Sequence, residues 1–501
     1  MNAVLNFIER WGNKLPHPTA LFILLCGVVI VASALLGALG LEATLSGTGE
    51  TIVVKSLISR EGLQYFLTNA VNNFVTFAPV GTALVAILGL SIAEHSGLLT
   101  TLLQGLVKRT PTALLTAAIV FAGILSSLAS DSGYVVLIPL AAIIFLQAGR
   151  HPVAGIAAAF AGVSAGYSAN LLVGPHDAVL AGLSQEAARA VAPDYTVSIT
   201  GNYYFMVAST LLITAIATWV NRTLTVKQTR AIAYTVPAAG GRQPELATSP
   251  GDKRRGVLAA AACFTVFLAL LLVATLPSQG LLRNSDGGLL QSAFTQGIVV
   301  IIAIGAALCG IAYGLAARTY GAWHDCIAGM EQHIATMASY LVLMFFAAQF
   351  VALFNWSQLG LVIAIGGANG LKALNLPLPV LLISFVFLAG FINLFIGSSS
   401  AKWALIAPIF IPMFLLLGLA PEATQIAYRI GDSTTNIISP LMPYFGVVIA
   451  FIHHYCKNLG AGTVIAIMLP YSIALLVGWT LLLAGWLLLD WPLGPGVKAF
   501  L

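Results

Sequence analysis

The chain of 501 residues is 59% hydrophobic and only 8% charged, whereas roughly a quarter of a soluble globular domain is charged. That composition excludes a soluble domain and describes a polytopic membrane protein. The formal charge of +5 lies in loops and reads as an orientation signal, not a nucleic-acid patch, and no G-x-x-x-x-G-K-[ST] sequence is present to support an ATP-driven pump.

A helix crossing a ~30 Å hydrocarbon core needs about 20 apolar residues. In chain order, the first such run covers 18–40 after a basic start. It is longer than the roughly 7–15 apolar residues of a cleaved signal and is read as a span. The second covers 79–98. The stretch 112–150 differs in kind: two short apolar arms flank a polar tip, SSLASDSGYVVLIP from Ser126 to Pro139. About 14 residues separate Pro111 from that tip, an arm of ~21 Å that enters a bilayer without crossing it, so a re-entrant hairpin is predicted. The third span, 154–178, is interrupted by GYSANLLVGP from Gly166 to Pro175, and a fourth occupies 203–221. Between Arg222 and Arg255 stand seven Lys/Arg and two acidic residues, Glu245 and Asp252. The positive-inside rule makes this flexible, Gly/Pro/Ser/Thr-bearing loop cytoplasmic, and with it Arg10, Lys14 and the N-terminus.

The fifth, sixth and seventh spans are 256–276, 294–316 and 334–354. A second pair of short arms, 378–418, surrounds GSSSAKWALIAP from Gly397 to Pro408. The eighth span, 424–450, is interrupted by GDSTTNIISP from Gly431 to Pro440, and the ninth is 461–488. The expected fold is all-α, with nine transmembrane helices, two re-entrant hairpins and broken helices at the site. The polar breaks recur at matched spacing: Asp131 precedes Asn170 by 39 residues and Ser399 precedes Asn436 by 37. Residues 1–221 therefore form a first repeat with spans one to four and hairpin one, and 294–501 a second with spans six to nine and hairpin two. Residues 222–293 supply the basic loop, the linking span five and an outer loop. A single linking span inverts the second repeat, and the flanking charges agree: Lys108, Arg109 and Arg150 at hairpin one, only Lys372 and Glu422 at hairpin two. Irregular backbone at membrane depth survives only where it is buried in protein or lines a cavity. Paired breaks in corresponding positions of two halves point to the binding site of a secondary transporter.

An ionisable group at the bilayer centre costs at least about 2.5–3.5 kcal/mol on insertion scales, so Asp131, Asp177, Lys402, Arg429 and Asp432 each ask for a partner or a purpose. Arg429 and Asp432 are three apart and can pair on one helical face. A sodium ion wants oxygens with little net charge. The stretch Asp432 to Asn436 with Asn393 near the second tip offers them, read as an unwound segment, and Asn170 with Ser126, Ser127, Ser130 and Asp131 offers a first-repeat counterpart. No resident cofactor is expected; sodium or a proton is the coupling ion. Half-helix N-termini with Lys402 and Arg429 favour an anionic substrate group, and Trp403 can stack on an aromatic ring. Against these stand an S-x-x-K spacing at Ser399 and Lys402, known from some hydrolases, and His453-His454, which lack an acidic partner at helix spacing. The five cysteines show no metal or disulfide spacing.

GSSSAKW, Pro421, the stretch YRIGDSTTNIISP with Arg429 and Asp432, and GPHDAVL with Asp177 together resemble the AbgT family of p-aminobenzoyl-glutamate transporters, over essentially the whole chain. The resemblance implies a bowl-shaped homodimer in the bacterial inner membrane that takes up p-aminobenzoyl-glutamate or exports sulfonamide antimetabolites. It places Asp177, Ser400, Trp403, Pro421, Arg429, Asp432 and Pro440 at functional positions, with Asn393 and Asp432 near a cation; Lys402 is not carried over. The combined expectation is a cation-coupled transporter working by alternating access. Asn170, Asp177, Ser399, Ser400, Trp403, Pro421, Arg429 and Pro440 would serve the substrate, and Asn393, Asp432 and Asn436 the ion. The alternative is a sodium-coupled dicarboxylate or organic-anion symporter on a related fold. Expected partners are a small molecule, the lipid bilayer and a second copy, with no nucleic acid.

Overall fold

Seven helical stretches among the described residues are long and apolar enough to cross a membrane: Pro18–Ala38, Arg60–His95, Tyr203–Thr229, Pro250–Thr275, Ile298–Ala316, Ala338–Trp356 and Ala461–Leu488. The structure is a computed structural model and describes residues 18–44, 51–108, 110–129, 133–230, 232–235, 249–285, 287–288, 292–457 and 459–501. Arg10, Lys14, Ser130 and Asp131 lie outside the described residues.

Helix α1 (Pro18–Ala38) leads into an antiparallel pair, β1 (Glu42–Thr44) and β2 (Thr51–Val53), with Glu42 opposite Val53. Next come α2 (Arg60–Val75), capped by Ser59 accepting from Gly62 N, then α3 (Ala78–His95) with a proline in its first turn, and α4 (Leu98–Lys108). The first short-armed pair is α5 (Leu115–Leu125) and α6 (Ile138–Gln147), joined through a 3₁₀ turn at Ser126–Ala129 and a π turn at Gly133–Leu137. Helix α7 (Pro152–Phe160) continues through a π turn, Ala161–Ala165, breaks at 166–174, and resumes as α8 (Pro175–Ala188). Helices α9 (Tyr203–Val220), α10 (Pro250–Thr275), α11 (Ile298–Ala316), α12 (Trp323–Thr336), α13 (Ala338–Trp356) and α14 (Leu359–Ala373) follow. The second pair is α15 (Leu378–Asn393) and α16 (Ser399–Leu415). After it come α17 (Pro421–Asn436), a break at 437–444, α18 (Phe445–Tyr455) and α19 (Ala461–Leu488).

The two predicted runs that are absent from the seven long helices are the two interrupted ones, each divided into half-helices. The second interruption begins later than predicted. Asp432 to Asn436 is the last turn of α17, not an unwound segment, and the break starts at Ile437. Thr434 and Thr435 return their hydroxyls to the carbonyls of Ile430 and Gly431, both at 2.7 Å, a geometry compatible with a helix. Pro440 and Pro443, which lack an N–H for the ladder, fall in the break itself. Helices α2, α4, α12 and α14 have no counterpart among the predicted spans; the Gln, Asn and Glu residues of α2 and the His and Asp of α12 interrupt the apolar signal.

The two broken helices are packed in similar ways. Gly123 on α5 meets Gly162: a Cβ on Gly162 would stand 2.4 Å from Val120 O, and one on Gly123 would stand 2.8 Å from Val163 N. Gly390 on α15 meets Gly431 on α17, where a Cβ on Gly431 would stand 2.3 Å from Val386 O. Small residues let backbones approach this closely where lipid supplies no hydrophobic drive between helices. Every residue of α17 is buried. Its N-terminal end is tied down: Glu422 accepts from Tyr195 Oη (2.9 Å) and Ser198 N (3.1 Å), Ala420 N donates to Ala499 O (2.9 Å) and Leu501 N to Gly418 O (3.0 Å). Elsewhere α1 packs on α13, with Phe22 edge-on to Phe350 at 5.7 Å.

Candidate substrate and ion site

One face of α17 carries Gln425, Tyr428, Arg429, Asp432, Thr435 and Asn436 at the three- and four-residue intervals that align side chains on a helix. That face meets the tip of the second pair at one end and the first break at the other. The sequence leaves Arg429 and Asp432 free to pair with each other, but the structure gives each a partner from another element. Asp432 pairs with Lys402 of α16, both with fully buried side chains. Arg429 Nη1 lies 2.6 Å from Asp177 Oδ1, with side chains 3% and 6% exposed. The i, i+3 geometry is available, but the guanidinium reaches past it to a carboxylate at the first turn of α8.

Each pair is embedded in neutral donors and acceptors, as buried charges require. Asp432 Oδ2 accepts from Ser399 Oγ at 2.9 Å, and Lys402 Nζ also donates to Asn393 Oδ1. Asn393 Nδ2 faces three oxygens, Asp432 O (2.7 Å), Thr435 Oγ1 (2.7 Å) and Asn436 Oδ1 (2.9 Å). In the other network Asp177 Oδ2 accepts from Gly174 N at 2.7 Å, satisfying a donor at the helix break. Gln425 Oε1 accepts from Arg429 Nε (3.2 Å) and Nη2 (3.1 Å), while Asn202 Nδ2 donates to it at 2.7 Å. Gln425 Nε2 and Trp403 Nε1 both donate to Ser184 Oγ, at 2.9 and 3.0 Å. Trp403 stacks on Tyr428 at 4.5 Å, and Tyr428 Oη donates to Ser399 O at 2.6 Å, which links the two networks.

Between the two breaks lies a cavity of about 330 Å³. Its walls include Ser127, Tyr134, Tyr167, His176, Ser398, Ser399, Ser400, Asn436 and Tyr444, with His333 from α12 and Tyr340 from α13. A neighbouring cleft of about 500 Å³ shares Tyr340, Gly397, Ser398 and Ser400 with it. Tyr134 and Tyr444, one from each repeat, stack at 4.3 Å, and Tyr167 packs on His176 at 4.6 Å.

The structure therefore brings Asn393, Ser399, Asp432 and Asn436 together around Lys402, and Asp177 around Arg429. Ser399, Ser400 and Asn436 reach the cavity wall. Asn170 stands behind it, donating to Ser127 Oγ at 2.8 Å while its Oδ1 accepts from Leu171 N (2.8 Å) and Leu172 N (3.3 Å). Trp403 is fully buried against Tyr428 and Ser184, outside the cavity wall, because its indole N–H is satisfied there. Pro421 opens α17 beside Glu422, at the end remote from the cavity, and Pro440 lies in the second break. Sequence reasoning misses Gln425, Tyr428 and Ser184, and does not assign His176 or the wall tyrosines Tyr134, Tyr167, Tyr340 and Tyr444 to the site. The i, i+4 spacing of Gln425 to Arg429 is the one local signal among them; the rest assemble only through the fold.

The oxygens assigned to sodium do not fit that ion in this arrangement. The Asn393 amide nitrogen points at three of them, and the Lys402 ammonium sits against Asn393 Oδ1 and Asp432 Oδ1. Turning the amide over would set its NH₂ against that ammonium, so the network fixes its orientation. Ser399 bonds to Asp432 and Lys402 to Asp432 and Asn393, an arrangement unlike a nucleophile with its base. Among the described residues no group of three or more His, Cys, Asp or Glu could hold a metal ion.

The family model described as the AbgT putative transporter family matches residues 3–501. The chain is 37% identical over 492 residues to the p-aminobenzoyl-glutamate transport protein of Escherichia coli (strain K12), covering 98% of this chain and 96% of that protein. The crystal structure of the Alcanivorax borkumensis YdaH transporter superimposes with a TM-score of 0.91 at 51% identity, over 96% of this chain and 100% of that one. MtrF of Neisseria gonorrhoeae, whose structure illuminates a class of antimetabolite efflux pumps, gives 0.89 at 43% identity over 99% and 100%. These relatives are transporters, not enzymes. With a family match running nearly from end to end and a helical frame shared with two of its solved transporters, the chain belongs to the AbgT transporter family.

Proposed function

We propose that this protein is a secondary active transporter that moves p-aminobenzoyl-glutamate, sulfonamide-type aromatic antimetabolites, or both, coupled to a sodium or proton gradient by alternating access. The observation that carries this reading is the cavity between two repeat-related breaks, walled by aromatic rings and hydroxyls and backed by two buried ion pairs. The E. coli relative is a p-aminobenzoyl-glutamate transport protein, and the gonococcal one illuminates antimetabolite efflux pumps. A substrate with an aromatic amide and carboxylates suits such walls. Its ring would lie against Tyr134, Tyr167 or Tyr444. Because Arg429 and Lys402 are each neutralised by a carboxylate, its anionic groups would rest on the first-turn N–H groups of α16 and α8 and on the Ser398 to Ser400 hydroxyls, where the helix dipoles favour negative charge.

The same reading takes the two interrupted runs as spans, for nine in all, and the pairs α5–α6 and α15–α16 as re-entrant hairpins in inverted repeats. It places the chain in the bacterial inner membrane as a homodimer with a cytoplasmic N-terminus. For the first pair the short arms support it: α5 and α6 have 11 and 10 residues, too few to cross. The test is uptake of radiolabelled p-aminobenzoyl-glutamate into proteoliposomes with sodium and proton gradients imposed separately. Accumulation under one gradient names the ion. Accumulation of succinate, with none of the aromatic amide, would replace this reading with a dicarboxylate symporter.

A further inference from the structure

We infer that Lys402 is a tethered cation that occupies the ion-binding position of the second repeat, so that sodium gains this position only when the ammonium leaves it or is removed. The inference rests on the cation-coupled reading of the site but is tested without substrate flux, so either can fail while the other stands.

Each oxygen a small cation would seek here already has an internal donor. Asp432 Oδ1 and Asn393 Oδ1 face the Lys402 ammonium, and Asp432 Oδ2 accepts from Ser399. Asp432 O, Thr435 Oγ1 and Asn436 Oδ1 surround the Asn393 amide nitrogen. The ammonium carries the same unit charge as sodium and comes from the first turn of α16, so it is present at a high effective concentration set by its short tether. Its side chain is fully buried, so an ion cannot enter beside it while the first-turn packing of α16 holds. Counting three residues on from each tip residue, Asp131 and Ser399, gives Tyr134 in the first polar tip and Lys402 in the second. Among the described residues the tethered charge stands at the second tip alone.

The test uses the purified full-length protein in detergent, with saturable ²²Na⁺ binding and the thermal midpoint followed as sodium replaces choline at constant ionic strength. Wild type is expected to show neither saturable binding nor a sodium-specific shift. Lys402→Met, which leaves the Asp432 carboxylate without its counter-charge, is expected to melt lower in choline, to recover by several degrees in sodium, and to bind ²²Na⁺ saturably where wild type does not, since a ligand that binds only the folded state stabilises it. The double variant Lys402→Met, Asp432→Asn, which removes both charges, is expected to fold and to be indifferent to sodium. Saturable binding by wild type that Asp432→Asn abolishes would overturn the inference, and that arm stands even where Lys402→Met does not fold. A folded Lys402→Met protein that ignores sodium would overturn it equally.

Discussion

The two breaks share a frame and differ in chemistry. In the first repeat α5 crosses the broken helix at Gly123 and Gly162, and Asn170 reaches back to Ser127; in the second α15 crosses α17 at Gly390 and Gly431, and Asn436 is reached by Asn393. The backbone solution is nearly the same in both. At the first crossing, the described groups around Asn170 are neutral hydroxyl and backbone partners. At the second, an ammonium and a carboxylate are buried side by side. The two interruptions, where only buried or cavity-lining backbone is tolerated, carry different side chains. One crossing became a cavity wall and the other an electrostatic centre.

The largest test of that asymmetry is Asp432→Ala set against Asn170→Ala. Loss of the carboxylate leaves Lys402 buried without a counter-charge, a change that costs about 3–5 kcal/mol, and initial uptake of p-aminobenzoyl-glutamate should fall by more than about 100-fold, roughly 2.7 kcal/mol in barrier terms. Asn170→Ala should cost only a few-fold. Equal losses would break the comparison. Next comes the pair that bridges the halves. A double-mutant cycle on Asp177→Asn and Arg429→Met, read by thermal unfolding, should give a coupling energy of about 1–3 kcal/mol; a value near zero would mean that Gln425 and the Ser168 carbonyl, which accepts from Arg429 Nη1 at 3.4 Å, hold the guanidinium by themselves. Gly162→Ala and Gly431→Ala probe the shared frame instead. Each should destabilise by about 1–3 kcal/mol through overpacking against a backbone carbonyl, and the two midpoints should fall by similar amounts. The smallest effect is expected for Ser127→Ala, which removes two neutral hydrogen bonds, one from Asn170 and one to Ile124 O, each worth about 0.5–1.5 kcal/mol, and should leave uptake within about threefold.

The interruptions are legible in the sequence because Gly, Pro and hydroxyl residues stand out in apolar surroundings. The extent of the second interruption is not legible. Asp432 to Asn436 has the composition of a loop, yet its threonines bond back into the helix and the chain unwinds only at Ile437. The pairing of charges is equally hidden. Arg429 and Asp432 satisfy the local rule for a helical pair, but Asp177 and Lys402 win them from other elements, and nothing in a local window announces that. Trp403 shows the limit on the substrate side: a tryptophan beside a polar tip suggests stacking on a ligand, while the fold turns it onto Tyr428 and gives the cavity to tyrosines from both repeats.

Helix α17 is anchored at both ends, but to different elements. Near Pro421 it is stitched to Tyr195 and Ser198 through Glu422 and to residues 499–501 through the backbone of Gly418 and Ala420. Its last turn is held by Asn393 of α15 and by Ser399 and Lys402 of α16. A strut pinned at two places hands movement from one to the other: any displacement of the α15–α16 tip must either drag α17 against its hold at Glu422 or break the Asn393 contacts, so spectroscopic distances from the two ends should tell which of the two gives way.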